Sequence, residues 1–447
     1  MFRLLKKLVS FNTPKTLIFV SEYDHFAKES TGLSTYSRLT LDELQDNFKS
    51  DFEKTVVLSI GKSKNEQIRI VQGGRRCVIP CIQKDNPFSL MRPLYYSLLL
   101  SKSKDMVIEF EFASYGGPLS VGAFIILLGL LKLFGKRVYF VIHQAVNRLE
   151  GLHEHLGLSK GSNKLRLLDS ALNYFYKAVG IFSWKIIVLE QEIKNRIALH
   201  INPKKIIVIP HAVHKNRFVQ KKNNVRKGRI DILIFGYIAW YKGLDRFIKA
   251  FNKLTDKRVH LTIAGGYSPA QRGKMHYETH YRSVLESAKK NPHITITGYV
   301  PESRVGTYYR KADICILPYR RFISSSGPLS QAFSFQKPVI LSQELVPYMK
   351  SKDFREVMSV AAVKKEDLFY KITPHALKTL VLRIRKEKNY IEKLAYFSHN
   401  MALKRNWSQL IPEYRKTILT ARNTQNLPSS LVKKHEPRSI TKGYSYA

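Results

Sequence analysis

Residues 232–244 read ILIFGYIAWYKGL: an unbroken apolar run, a turn opened by Gly236 and carrying Lys242, and the start of a second apolar pattern. An apolar run that does not alternate is the signature of a strand covered on both faces, as in parallel sheets. Leu244, Phe247, Ile248, Phe251 and Leu254 then recur at helical spacing. The stretch is a strand–turn–helix unit, and comparable runs follow at 261–264 (LTIA), 294–297 (ITIT), 314–317 (ICIL) and 339–341 (VIL). Upstream, runs at 17–20, 55–58, 106–110, 138–142, 186–189 and 206–209 form an earlier series. The apolar segment 121–134 falls between two of these runs and reads as a buried crossover helix.

The fold class predicted is α/β, with two doubly wound, Rossmann-like domains. Residues 1–219 form the first domain and the polar, basic stretch 220–229 (QKKNNVRKGR) the linker. The second domain spans 230–403, a late helix at about 404–420 returns to the first, and the aperiodic tail 421–447 reads as disordered.

The chain has 447 residues, with 75 Lys+Arg against 34 Asp+Glu and a formal net charge of +41. Such a charge calls for a polyanionic partner: nucleic acid, an anionic membrane face or phosphorylated small molecules. Nucleic acid is the weakest of these, since no RNP, helix-turn-helix or zinc-finger signature is present. Three cysteines, Cys77, Cys81 and Cys315, cannot build a disulfide framework, which points to a reducing, cytoplasmic compartment. No apolar run approaches the roughly 20 residues of a membrane span. The start, where Arg3, Lys6 and Lys7 interleave with Phe2, Leu4, Leu5 and Leu8, suits peripheral attachment to an anionic cytoplasmic membrane face.

In open α/β sheets, ligands bind beyond the carboxyl ends of the strands. Four strand ends of the second domain carry glycine nearby: Gly236, Gly265–Gly266, Gly298 and Gly327. At Ser326-Gly327-Pro328 the proline suits a first helical turn, and serine hydroxyls with free N–H groups make an anion site. Lys242, Arg320 and Arg321 are the cations expected to complete it.

The blocks GYIAWYKGLDRFIKA, LTIAGG, ITGYVPESRVGTYYRKADICILPY and SSSGPLSQAFSFQKPVIL together resemble the donor domain of retaining GT-B glycosyltransferases of family 4 (glycosyl transferases group 1). The first half resembles the acceptor domain more loosely, through Thr31-Gly32-Leu33, Val141-Ile142-His143-Gln144 and the segment 208–213. The resemblance implies transfer of a sugar from a nucleotide diphosphate sugar to an envelope glycan or lipid-linked acceptor, with retention and without a metal or other cofactor. It implies that the diphosphate lies on the helix start at Gly327, Pro328 and Leu329, with Lys242 on the leaving group. Tyr299 and Val300 would flank the nucleobase, His143 would face the donor sugar, and Gly32 would approach the phosphates or the acceptor. Two departures stand out. Ile323 and Gln331 occupy the places of two glutamates, the second of which holds ribose; glutamine can still bond ribose hydroxyls. Ala239, or Tyr237 in another register, stands where an arginine assists the lysine. A relative that binds nucleotide sugar or glycan without turnover is the alternative reading.

Overall fold

The computed structural model describes residues 8–23, 31–61, 67–213, 228–387 and 389–423. The first sheet is built from β1 (Thr16–Ser21), β2 (Lys54–Gly61), β3 (Arg69–Val71), β4 (Arg76–Gln83), β5 (Asp105–Phe110), β6 (Arg137–Ile142), β7 (Lys185–Val188) and β8 (Ile206–Val208). Their order is β3-β4-β2-β1-β5-β6-β7-β8, parallel except for the antiparallel β3–β4 pair. β1, β5 and β6 are buried along their whole length, as their unbroken apolar runs require.

Successive residues still face opposite sides of the sheet. Ile18 and Val20 join one core with Phe124, Leu128, Phe175 and Val179, from helices α2 (Pro118–Leu133) and α3 (Asn163–Phe182). Leu17 and Phe19 join the other, with Tyr36 and Leu41 from α1 (Gly32–Asn47). The second sheet has the order β11-β10-β9-β12-β13-β14, all parallel, from β9 (Ile230–Phe235), β10 (Val259–Ala264), β11 (Ile294–Ile296), β12 (Ile314–Leu317), β13 (Val339–Ser342) and β14 (Phe369–Tyr370). Its first crossover helix is α4 (Leu244–Phe251), and α5 (Gly327–Ser334) follows β12. The last helix, α6 (Trp407–Asn423), packs back on α1. Tyr36 and Tyr414 share a 2.7 Å hydrogen bond there, and Tyr139 Oη donates to Ile418 O at 2.8 Å.

The structure departs from the sequence reading in several places. β3, β4 and β14 are additional strands. β4 (RCVIPCIQ) carries Pro80, which cannot donate to a ladder, and its register with β2 shifts between Ser59 and Ile60, beside that proline. Helix α2 is the crossover between the parallel strands β5 and β6, but it buries one face only: Phe124, Leu127, Leu128 and Leu131 are in the core, while Leu119, Ile126 and Leu133 are exposed. Residues 421–423, read as disordered, continue α6; the rest of that tail, most of the linker and residues 1–7 lie outside the described residues. Leu8, counted with the amphipathic start, is buried in the core together with Phe11. All three cysteines are free and buried. No helix among the described residues is long and apolar enough to cross a membrane.

Candidate functional site

Where β9 ends, Gly236 takes φ 107°, a conformation that L side chains rarely adopt. The chain then makes a single 3-10 turn, Trp240–Lys242, and Gly243, at φ 69°, starts α4. This geometry lays Lys242 back over the strand end. A Cβ on Gly236 would lie 2.7 Å from Lys242 Nζ and 3.2 Å from Pro328 Cγ, so the ammonium sits between β9 and the start of α5. It is buried, and burial pushes its pKa down to about 8, with the charge of Glu111 pulling the other way.

At the start of α5, Ser326 is the N-cap and Pro328 lies in the first turn. Ser326 Oγ accepts the Leu329 N–H at 3.3 Å and is 3.0 Å from Tyr319 Oη. The serine is therefore committed to the cap, and Ser324 and Ser325 line the cleft in its place. Leu329 packs in the core, leaving Gly327 and Pro328 as the part of the helix start that reaches the cleft. A Cβ on Gly327 would meet nothing within 4 Å.

The opposite wall comes from the first domain. Thr31 caps α1 by accepting the Ser34 N–H at 3.1 Å. Gly32, the first residue of α1, also opens onto free space. Two helix starts thus face one cleft, and both present positive dipole ends. His143 follows β6; its Nε2 is bound by the buried carboxylate of Glu109, which leaves Nδ1 without a partner among the described residues. Tyr36 packs edge-on against His143, with ring centroids 5.1 Å apart, and lies 4.8 Å from the ring of His211. His211 Nδ1 is 2.9 Å from Ser330 Oγ on α5, a hydrogen bond that joins the two walls. Burial, and then the charge of His143, depress the His211 pKa to about 3, so this imidazole stays neutral.

The cleft measures about 340 Å³ and gathers Gly32, His143, Gly236, Lys242, Tyr299, Val300, Gln331, Gly327 and Pro328 from the sequence reading. Ser326 and Leu329 support it from behind. Arg320 does not reach it. Its guanidinium is paired with Asp245, in the first turn of α4, and lies 4.7 Å from the ring of Trp240. A desolvated guanidinium takes the nearest carboxylate, and Asp245 supplies it. Arg321 is likewise directed to Gly151 O, at 3.3 Å. Lys242 is the single Lys or Arg among the described residues lining the cleft. Of the two departures, Gln331 lines the cleft and Ile323 is buried behind it. Tyr237 lines it too and stacks on Tyr299, while Ala239 is buried away from it.

Sequence reasoning missed Glu111, Tyr36 and Trp407, which also line this space. Glu111 directly follows β5, so the strand-end rule applied to the first domain would have found it. It accepts from Gln144 Nε2 at 2.6 Å, and burial, then repulsion from Glu22, raise its pKa to about 7. Among the described residues no group of three or more His, Cys, Asp or Glu is placed to hold a metal ion.

Residues 229–366 match the sequence profile described as Glycosyl transferases group 1. No curated protein matches the chain. Among solved structures it is similar to sucrose-phosphate synthase from Thermosynechococcus elongatus, at 13% identity and a TM-score of 0.68, over 92% of this chain and 99% of that one. It is similar to Anabaena HepE in complex with UDP-glucose, at 10% identity and a TM-score of 0.63, over 91% and 99%. An α,α-trehalose-phosphate synthase from Burkholderia vietnamiensis aligns at 12% identity and a TM-score of 0.61, over 92% and 99%. At these identities the likeness shows the fold, the GT-B arrangement of two Rossmann-like domains facing a cleft. Within that fold, the profile match over residues 229–366 identifies the second domain as similar to the glycosyl transferases group 1.

Proposed function

We propose that the protein transfers a sugar from a nucleotide diphosphate sugar to an envelope glycan or lipid-linked acceptor, with retention at the anomeric carbon. The observation that carries this reading is the placement of Lys242 Nζ against Gly236 and Pro328, a buried cation at a helix start. A diphosphate there would meet the ammonium, the Gly327 N–H and the dipole of α5, the electrostatics a departing diphosphate needs. Tyr299, Val300 and Tyr237 would border the nucleobase, and Gln331 the ribose. In retaining transfer on this scaffold the departing phosphate takes the acceptor proton on the face it leaves. The protein then has to position groups and stabilise developing charge rather than supply a strong base. Metal independence is part of the proposal, and transfer measured with and without EDTA tests it. Cytoplasmic placement and contact with an anionic membrane face complete it.

A panel of nucleotide sugars screened by thermal shift is the first test, because a ligand selective for the folded state raises the melting temperature. Transfer from the best binder to membrane lipid extract then tests turnover. Tight binding with neither transfer nor slow hydrolysis would replace this proposal by the binding-only reading, which the withdrawn Arg320 and the loss of both glutamates favour.

Kinetics separate the roles of two cleft residues. Gln331→Ala is expected to raise KM for the donor more than it lowers kcat, as loss of a ground-state ribose contact would. His143→Ala is expected to lower kcat more than it raises KM, if the imidazole meets the sugar in the transition state. Steady-state rates at varied donor concentration read both, and the opposite split at either position would reject its assignment.

A further inference from the structure

The cleft uses a single lysine, so it leaves the +41 charge of the chain unexplained. A second feature also lies outside it. Leu119, Ile126 and Leu133 on α2 and Leu167, Tyr174 and Ile181 on α3 are each between 57 and 81% exposed. Both sets recur every seven residues, two helical turns, so each makes one line along its helix. The two helices pack side by side: a Cβ on Gly129 would touch the Phe182 ring at 3.6 Å, and Lys132 Nζ donates to Ile181 O at 3.0 Å. Their inner faces share one core on the side of the first sheet opposite α1, so the exposed lines look outward from the same layer. The helix Arg92–Leu99 and the turn Pro87–Met91 pack against α2 and add exposed Tyr95 and Phe88. Trp184, exposed just beyond α3, extends the series.

We infer that this layer is a docking face for an anionic lipid bilayer. The charge around it matches that partner. The three helices carry Arg92, Lys132, Lys164, Arg166 and Lys177 against one acid, Asp169, whose carboxylate accepts the Leu149 N–H at 2.6 Å. Leucine and isoleucine lines flanked by basic residues, with Tyr and Trp among them, suit the interface between headgroups and acyl chains. Phosphate recognition in nucleic acid would use the cations and leave the apolar lines exposed. A bilayer uses both, and an exposed apolar area this extended marks an interaction surface. The inference gives the membrane contact proposed above a location on described residues, and it is independent of the chemistry in the cleft.

The test is sedimentation of the full chain with vesicles of phosphatidylcholine alone or mixed with phosphatidylglycerol. Binding is expected to the anionic vesicles and to weaken with salt. Ile126→Glu with Tyr174→Glu should reduce it about tenfold or more while leaving the melting temperature and donor affinity unchanged. Emission from Trp184 should be quenched by brominated acyl chains, and Trp184→Phe should remove the quenched component. Equal sedimentation of the glutamate variant and the unaltered chain would overturn the inference, as would equal binding to neutral and anionic vesicles at low salt. So would release by Arg3, Lys6 and Lys7→Ser with no effect of the face substitutions, which would move attachment to the amino-terminal segment. A dimer in solution that the same glutamates split would assign the face to a second copy. Failure of nucleotide-sugar binding would defeat the function proposed above and leave these vesicle results standing.

Discussion

Lys242→Met is expected to lower donor affinity by roughly ten- to 150-fold, about 1.5–3 kcal/mol for a lost charge-assisted contact, without lowering the melting temperature. The two effects are decoupled because of how the lysine is held. Its ammonium is buried with no ion pair among the described residues, and burial alone has drawn its pKa down to about 8. In the unliganded protein it therefore costs stability, and methionine keeps the length and packing while removing that cost. A lysine that served the fold would behave in the opposite way, with a lower melting temperature and unchanged binding. The same position fixes a pH dependence. Below about 8 the ammonium is already protonated in the free protein; above it, donor binding must take up a proton, so affinity falls as pH rises. Glu111, with its pKa raised to about 7, adds a negative charge to the cleft over the same interval and acts in the same direction. Calorimetry at pH 6.5 and pH 9 should show tighter donor binding at the lower value and a flatter profile in Lys242→Met. Equal affinity at both pH values would remove Lys242 from the donor site.

What sequence could supply here depended on distance along the chain. The strand–turn–helix unit around Gly236 and Lys242 is written within about twenty residues, with its strand, glycine and helical period all local. The cap at Ser326 and Pro328 was legible for the same reason, although which serine faces the cleft was not. β4 was hidden because Arg76, Pro80 and two cysteines break its pattern, and its place in the sheet is decided by pairing with β2. Arg320 shows a different limit. Its number placed it beside the cleft, yet a long side chain goes where its partners are, and Asp245 with Trp240 turned it away. Glu109 and Glu111 sit at a strand end and were available to the rule that found His143. The outward lines of α2 were also visible as a seven-residue repeat, but the strong apolar content of 121–134 masked them.

Arg405 left no trace in the sequence, because its partners lie 215 and 52 positions away. It occupies the turn between the helix Tyr390–Lys404 and α6, with its guanidinium buried. Nη2 donates to Glu190 at 3.1 Å and Nε donates to Asp353 at 2.7 Å. Glu190 follows β7 in the first sheet and Asp353 lies beyond β13 of the second, so one cation ties both halves beside the returning helix. Ser351 Oγ adds a 3.0 Å bond to Glu190. Burial lifts the Glu190 pKa even against the pull of Arg405, whereas Asp353, only half-buried, is held below its ordinary value by the guanidinium. Arg405→Leu would strand both carboxylates, and breaking a buried pair from one side costs about 3–5 kcal/mol. The expected result is a large fall in the denaturant midpoint, with the two halves unfolding in separate steps. Replacing all three groups together, Arg405→Leu with Glu190→Leu and Asp353→Leu, removes the stranded charges and should recover most of that loss. A single-step transition at the original midpoint in Arg405→Leu would show that the pair does not hold the halves together. Failure of the triple replacement to recover stability would place the cost in lost packing around the guanidinium stem instead.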